Sequence, residues 1–292
     1  MNKVFESSEL IVNPDNSVFH LHLKPHEIAD DIILVGDPQR VNLIASFFQE
    51  KNYKASNREF YAITGKFNDK PITVVSTGIG TDNIDIVLNE LDALANIDFS
   101  TRQTKKEHRK LRFIRVGTSG AIQPDLKPGS IVASQYVIGF DGLLNFYKKR
   151  NQVCQTDLEN SFVKQTSWPE VFPAPYCVQA DQSLMNRTGN DYIKGITISA
   201  NGFYGPQGRE LRAELAYPDL FVKLPSVSFK EFRITNFEME CSALYGLSKI
   251  LGHKALTVCL IIANRSLKTY IGDYSKLMKS LIKDVLISIS YG

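Results

Sequence analysis

The stretch Leu111–Gly129, LRFIRVGTSGAIQPDLKPG, decides how the chain is read. It opens on a short apolar run, Phe113-Ile114-Arg115-Val116, of the kind that fills a buried strand. It then breaks into Gly117-Thr118-Ser119-Gly120, where two glycines bracket two hydroxyls. Glycine lets the backbone approach a ligand with no Cβ in the way, and turn-exposed N–H groups beside hydroxyls make an anion cradle. Arg115 is the odd residue. A guanidinium inside a strand needs an anion or a carboxylate, because it is rarely buried unpaired. The same letters also suit an ordinary strand-to-loop turn with Arg115 in a structural ion pair, so the rest of the chain must arbitrate.

Two strand–Gly–helix units lie upstream. In DIILVGDP, residues 31–38, an apolar strand ends in Asp37, suited to a helix N-cap, and Pro38, suited to the first helical position. Val41, Leu43, Ile44, Phe47 and Phe48 follow at helical spacing. Gly36 and Arg40 thus stand at a helix N-terminus beyond a strand's C-terminal end, where open α/β sheets bind ligands. Residues 59–66 and 71–76 read as a strand pair turning at Asn68-Asp69, with Arg58 just ahead of it. Thr77-Gly78-Ile79-Gly80-Thr81 then opens a helix bearing Ile84, Val87, Leu88, Leu91 and Leu94. A dinucleotide fingerprint requires a third glycine where Asn83 stands, which speaks against nicotinamide or flavin.

Downstream, residues 131–137 and 195–200 read as strands. The second delivers Asn201-Gly202-Phe203-Tyr204-Gly205-Pro206-Gln207-Gly208-Arg209. Aromatic rings, an amide and a guanidinium in one tight loop are the means by which a planar heterocycle is stacked and gripped at its edge. A loop whose Phe203 plugs the core fits the same letters. Glu238-Met239-Glu240 precedes a helical run from Cys241 to Ile250. Its carboxylates either compensate the helix dipole or accept hydrogen bonds from sugar hydroxyls. Residues 255–263 are the most apolar strand, expected at the sheet centre, and end in Asn264-Arg265-Ser266. Residues 273–290 form an amphipathic helix.

The remaining segments are less informative. Residues 1–17 read as a polar lead-in, and 18–23, VFHLHL, alternate as a strand does. His20 and His22 have no Cys, Asp or Glu at ligand spacing, so no metal is expected. Residues 98–110 read as a charged surface connection and 143–175 as a long loop or insertion. With 292 residues, 43% hydrophobic and 22% charged, the chain can bury a full core, and a net charge of +3 gives no reason to expect nucleic acid. No apolar run reaches the ~18 residues of a membrane span, and no secretory signal is legible, so a cytoplasmic location is expected. Four widely spaced cysteines fit reduced, buried thiols.

Strands alternating with helices imply a mainly parallel sheet with polar clusters at several strand ends. In this order VFHLHL, VGDPQRV, NREF, STGIG, RVGTSGAIQPDLKPGS, FYGPQGR, FEMECSAL and IIANR, across residues 18–270, resemble the nucleoside phosphorylase superfamily and, within it, its uridine-cleaving branch. The resemblance implies an α/β fold over residues 1–292 as one domain. This would be a three-layer α/β/α arrangement around a mixed, largely parallel twisted sheet. It implies phosphorolysis of uridine to uracil and ribose 1-phosphate. Gly36, Arg40, Arg115 and Thr118 would hold phosphate, with Arg58 reaching in from a neighbouring subunit and its His20 touching the ribose. Glu238, Met239 and Glu240 would hold the sugar. Phe203 would stack on the base, with Gln207 and Arg209 at its edge, Gly120 and Ile262 lining the pocket and Arg265 supporting it. Arg115, Gln207 and Arg209 would carry the chemistry.

The resemblance further implies a homo-oligomer, dimer or hexamer, that needs no metal or cofactor beyond its substrate phosphate. Asn83 stands where bacterial hexameric members have a serine that helps hold a monovalent cation between subunits. Ala263-Asn264-Arg265 lacks the Ser-Asp pair with which purine-cleaving relatives protonate their base. Two neighbouring readings are a phosphorylase of broader pyrimidine scope and a non-catalytic nucleoside-binding relative. The presence of Arg40, Arg58 and Arg115 together disfavours the second.

Overall fold

Apolar runs of the sequence become the interior of one mixed sheet in the computed structural model, which describes residues 3–291. The first two residues of the expected lead-in, and the last residue of the expected 1–292 domain, lie outside the described residues. The chain begins with β1 (Asp31–Val35), α1 (Pro38–Ala45), β2 (Glu50–Asn57), β3 (Phe60–Phe67), β4 (Lys70–Ser76) and α2 (Thr81–Asn96). A short pair, β5 (Ile97–Asp98) and β6 (Gln103–Thr104), precedes β7 (Arg112–Ala121) and β8 (Ile131–Gly139). Next come α3 (Arg150–Val153), α4 (Thr156–Thr166), β9 (Tyr176–Gln179), α5 (Gln182–Leu184) and β10 (Ile193–Ser199). The last third holds α6 (Pro218–Lys223), β11 (Ser228–Phe229), β12 (Phe232–Glu238), α7 (Cys241–Leu251), β13 (Lys254–Asn264), β14 (Thr269–Tyr270) and α8 (Ser275–Ser290).

Twelve strands form the sheet, in the order β11-β12-β10-β8-β13-β7-β1-β4-β3-β2, with β9 on β8 and β14 on β13. Parallel ladders join β4, β1, β7 and β13, and also β8, β10 and β12. Helices pack over it in a three-layer α/β/α arrangement. β1 and the middle of β13 are buried along their length, as strands covered on both faces must be. The twist brings β12 back to β7, where Asn236 pairs with Ala121 and Phe237 with Gly120. That closure sets the Glu238 end of β12 beside the glycine-rich end of β7.

Several local expectations give way. The GTSG segment is no turn: Gly117–Gly120 continue β7 and pair with β13 on one side. Residues 18–23 form a tight turn, with His22 at φ 52°, rather than a strand. Their alternation arises because Val18, Leu21 and Leu23 are buried while Glu90 accepts the N–H groups of His20 and Leu21 at 3.0 and 2.8 Å. The 143–175 segment carries α3 and α4, and α4 buries Leu158 and Phe162. The first helix stops at Ala45, short of Phe48. β2 is an exposed edge strand whose polar sequence, EKNYKASN, gave no apolar signal.

A Cβ at Gly65 would lie 2.1 Å from the Glu50 carbonyl oxygen and 2.6 Å from the Phe48 ring. Gly65→Ala is therefore expected to lower stability by about 1–3 kcal/mol, read as a reduced denaturant midpoint. An unchanged midpoint would mean that β2 does not pack on β3 this closely.

Candidate active site

One cavity of about 410 Å³ gathers the ends of β1, β7, β12 and β13 with the loop after β10. Gly36, Arg40, Arg115 and Thr118 line it, and so do Glu238, Met239 and Glu240. Phe203, Gln207, Arg209, Gly120 and Ile262 complete the expected set found there. Five separated segments of the expected set therefore meet at one place.

Arg115 is at the centre. Its side chain is only 6% exposed, and its guanidinium pairs with Glu240 and stands 3.4 Å from Glu238. Burial opposes the charge, but the two carboxylates outweigh it and hold the Arg115 pKa above the ordinary arginine value. Gly117 makes room for this side chain: a Cβ there would lie 2.2 Å from Arg115 Nη1. Below it sits the Cys259 thiol, pushed up to about 12 by burial and so neutral. Arg40 reaches the same cavity from the first turn of α1, donating to the Val116 carbonyl at 3.3 Å. Asp37 caps that helix by accepting the Gln39 N–H at 2.8 Å, and Pro38 occupies its first position. Burial lowers the Arg40 pKa, and the nearby Arg115 charge adds to the effect.

The two carboxylates are held differently. Glu238 accepts the backbone N–H groups of Glu240 and Cys241 at 3.0 Å and the Ser199 hydroxyl at 2.5 Å. Burial raises its pKa to about 7, with Arg115 opposing and Glu240 reinforcing the shift. Glu240 accepts the Gly80 N–H at 2.8 Å across 160 residues of sequence. Gly80 adopts φ 100°, a left-handed conformation that favours glycine. Sequence reasoning recognised that turn, but no local signal tied it to Glu240. Ser199, Cys259 and Ile79 were also missed as site residues, being uncharged residues made relevant only by topology.

At the other side of the cavity, Arg209 lies over the Phe203 ring at 4.0 Å. It donates to the Phe203 carbonyl at 2.6 Å and to Gln207 Oε1 at 2.5 Å. Gln207 is buried, whereas Phe203 is half exposed. Arg265 does not line the cavity; from behind it donates to the Gly208 carbonyl at 2.7 Å. Asn264 is used structurally, donating to the Gln123 and Leu126 carbonyls at 2.8 and 2.7 Å. No carboxylate stands at that strand end.

Arg58 and His20 are outside the cavity lining. They are neighbours all the same: Asn57 donates to the His20 carbonyl at 3.0 Å, and Arg58 is exposed at the β2–β3 turn with φ 53°. Among the described residues no three His, Cys, Asp or Glu side chains gather as metal ligands. Asn83, at the position where the resemblance gives hexameric members a serine, donates to Glu59 Oε1 at 3.2 Å and to the Ile79 carbonyl at 3.3 Å.

Buried Arg115 and half-buried Arg40 face two carboxylates and an aromatic–amide loop at the strand ends of a mixed α/β sheet, an arrangement suited to a small anion beside a polar, ring-bearing ligand. The chain belongs to the phosphorylase superfamily, whose profile matches residues 30–279. It is 32% identical over 271 residues to a uridine phosphorylase of Thermococcus kodakarensis, covering 91% of this chain and 84% of the relative. It is 28% identical to the uridine phosphorylase of Escherichia coli, over 86% of this chain and 87% of that one. Among solved structures, a Trypanosoma brucei nucleoside phosphorylase that shows uridine phosphorylase activity superposes with a TM-score of 0.87. That pair is 28% identical, over 97% of this chain and all of the other.

Because a Cβ at position 117 meets the movable end of Arg115 at 2.2 Å and the Cys259 thiol only at 3.1 Å, Gly117→Ala is expected to fold and to displace the guanidinium. Sulfate or phosphate affinity, measured by calorimetry, is expected to fall at least about tenfold, the loss of one charge-assisted contact. Unchanged affinity would remove Arg115 from the anion site.

Proposed function

We propose that this cavity cleaves uridine with inorganic phosphate, giving uracil and ribose 1-phosphate. The observation that carries the reading is Arg115, a buried guanidinium shared with two carboxylates and open to the cavity beside Arg40. Water as the attacking species would have no use for such a cluster, whereas a phosphate dianion needs fixed cations to leave solvent in a set position. Gly36, Arg40, Arg115 and Thr118 hold phosphate beneath C1′. Glu240, with Met239 and Glu238, holds the ribose hydroxyls. Phe203 packs on the base once Arg209 swings from its face to the base edge, where Gln207 already waits. A phosphate oxygen bonds to C1′ as the C1′–N1 bond breaks, and the electron pair leaves on uracil, spreading onto its carbonyl oxygens. Gln207 and Arg209 stabilise that charge in the manner of an oxyanion hole, and solvent returns the proton. No cofactor enters this reaction.

Arg58 and His20 complete the site of a neighbouring subunit in this reading. Support comes from the exposure of Arg58, from the Asn57 bond that keeps the half-buried His20 near it, and from Glu90, which stands 2.6 Å from His20 Nδ1. The protein is then a homo-oligomer with shared sites, handling small cytoplasmic metabolites.

The decisive measurement is uridine absorbance with and without phosphate. Loss of absorbance is expected only with phosphate present, Arg115→Ala is expected to abolish it, and Gln207→Ala is expected to slow turnover on the order of 10²–10³-fold. Phosphate-independent release would replace phosphorolysis by hydrolysis. Scope is read separately. An unpaired buried carboxylate disfavours a sugar lacking its hydroxyl, so uridine is expected to exceed thymidine in kcat/KM by at least about tenfold, with Glu240→Gln narrowing the gap. Equal rates on both nucleosides would assign the broader pyrimidine activity instead.

A further inference from the structure

A second cavity of about 310 Å³ lies behind the base loop, walled by Phe140, Trp168, Phe172, Tyr217 and Phe221. Successive rings touch along it: Phe140–Trp168 at 4.6 Å, Trp168–Phe172 at 5.3 Å and Phe172–Tyr217 at 5.0 Å between centroids. The Trp168 indole is tied back by its N–H to the Pro173 carbonyl at 3.1 Å, so its ring is held in the wall. Glu214 is the single ionisable carboxylate in the lining, no lysine or arginine joins it, and it has no ion-pair partner among the described residues. A ring-lined cavity with one unmatched negative charge attracts a cation that carries its charge inside an apolar envelope, because aromatic faces are the negative side of the ring quadrupole.

From this charge complementarity we infer that the cavity is a second binding site, for a small quaternary ammonium compound. Phe221 links it to the base loop: its ring packs against Gly208, where an added Cβ would lie 2.3 Å away, and Gly208 has φ 67°. Gly205 and Pro206 belong to both the cavity wall and the loop that carries Gln207 and Arg209. An occupant therefore presses on base recognition while leaving the Arg40–Arg115 end untouched. This coupling rests on the proposed uridine phosphorolysis; occupancy of the cavity does not.

Trp168 is the only tryptophan of the chain, so intrinsic indole fluorescence reports this wall alone. Titrating the intact protein with choline is expected to give a saturable change. The neutral tert-butyl analogue of choline is expected to bind at least about tenfold more weakly. Glu214→Gln, an exposed change that leaves the core alone, is expected to weaken choline binding about two- to fivefold. In the uridine assay, saturating choline is expected to shift the KM for uridine but not that for phosphate. No saturable change, equal binding of the neutral analogue, or an unaffected Glu214→Gln variant would each overturn the site. Binding with no change in uridine KM would overturn the coupling, and absence of uridine turnover would fall on the proposed reaction instead.

Discussion

The structure turns on the burial of Arg115 against Glu238 and Glu240. A guanidinium 5% exposed in the middle of a sheet is a large liability unless carboxylates stand beside it. Here they come from the β12–α7 junction, so the closure of β12 on β7 is also the step that neutralises Arg115. The ion pair also sets the cavity's charge. Arg40, Arg115 and Arg209 face Asp37, Glu238 and Glu240 in the lining, and burial pushes the Glu238 pKa up. In the proposed reading an entering dianion finds Arg115 already oriented by groups it does not have to displace.

Such a centre demands space that ordinary strand residues deny. Glycine weakens a strand interior, yet β7 keeps one at 117 because the Arg115 side chain folds back over that position, above the small Cys259 thiol. Gly80 serves the partner charge in the same way, its left-handed backbone aiming an N–H at Glu240. Each glycine is thus explained by a charge elsewhere in the chain, and neither by local turn chemistry alone.

This is why the sequence was legible in some places and silent in others. Buried parallel strands such as β1 and β13 announce themselves, since covering both faces makes every residue apolar. The Asp37-Pro38 helix start is local chemistry and was equally plain. An exposed edge strand such as β2 carries no such mark, and the turn at residues 18–23 copied strand alternation because three of its side chains happen to point inward. The GTSG segment misled for a physical reason: glycines that make room for a buried arginine look like glycines that make a turn. Arg58 and His20 were picked out by resemblance alone. Within one chain exposed Arg58 and half-buried His20 lie apart from the cavity lining, and no local pattern could relate them to it.

The base loop shows how the same economy of charge works where no carboxylate is at hand. Burial lowers the Arg209 pKa, and its guanidinium stacks on Phe203 and bonds to two carbonyl oxygens of the same loop. Its bond to Gln207 Oε1 fixes the amide so that the Nε2 donors are left for another acceptor. A planar ligand edge offering acceptors restores every bond that Arg209 surrenders on moving, whereas an edge without them leaves a buried amide and a guanidinium unsatisfied. In the proposed reading, selectivity resides less in the shape of the pocket than in the penalty for failing to replace contacts the loop already makes with itself. Arg265, bonded to the Gly208 carbonyl from outside, ties the same loop to the end of β13, so in that reading the loop has less freedom to relax around a poor fit.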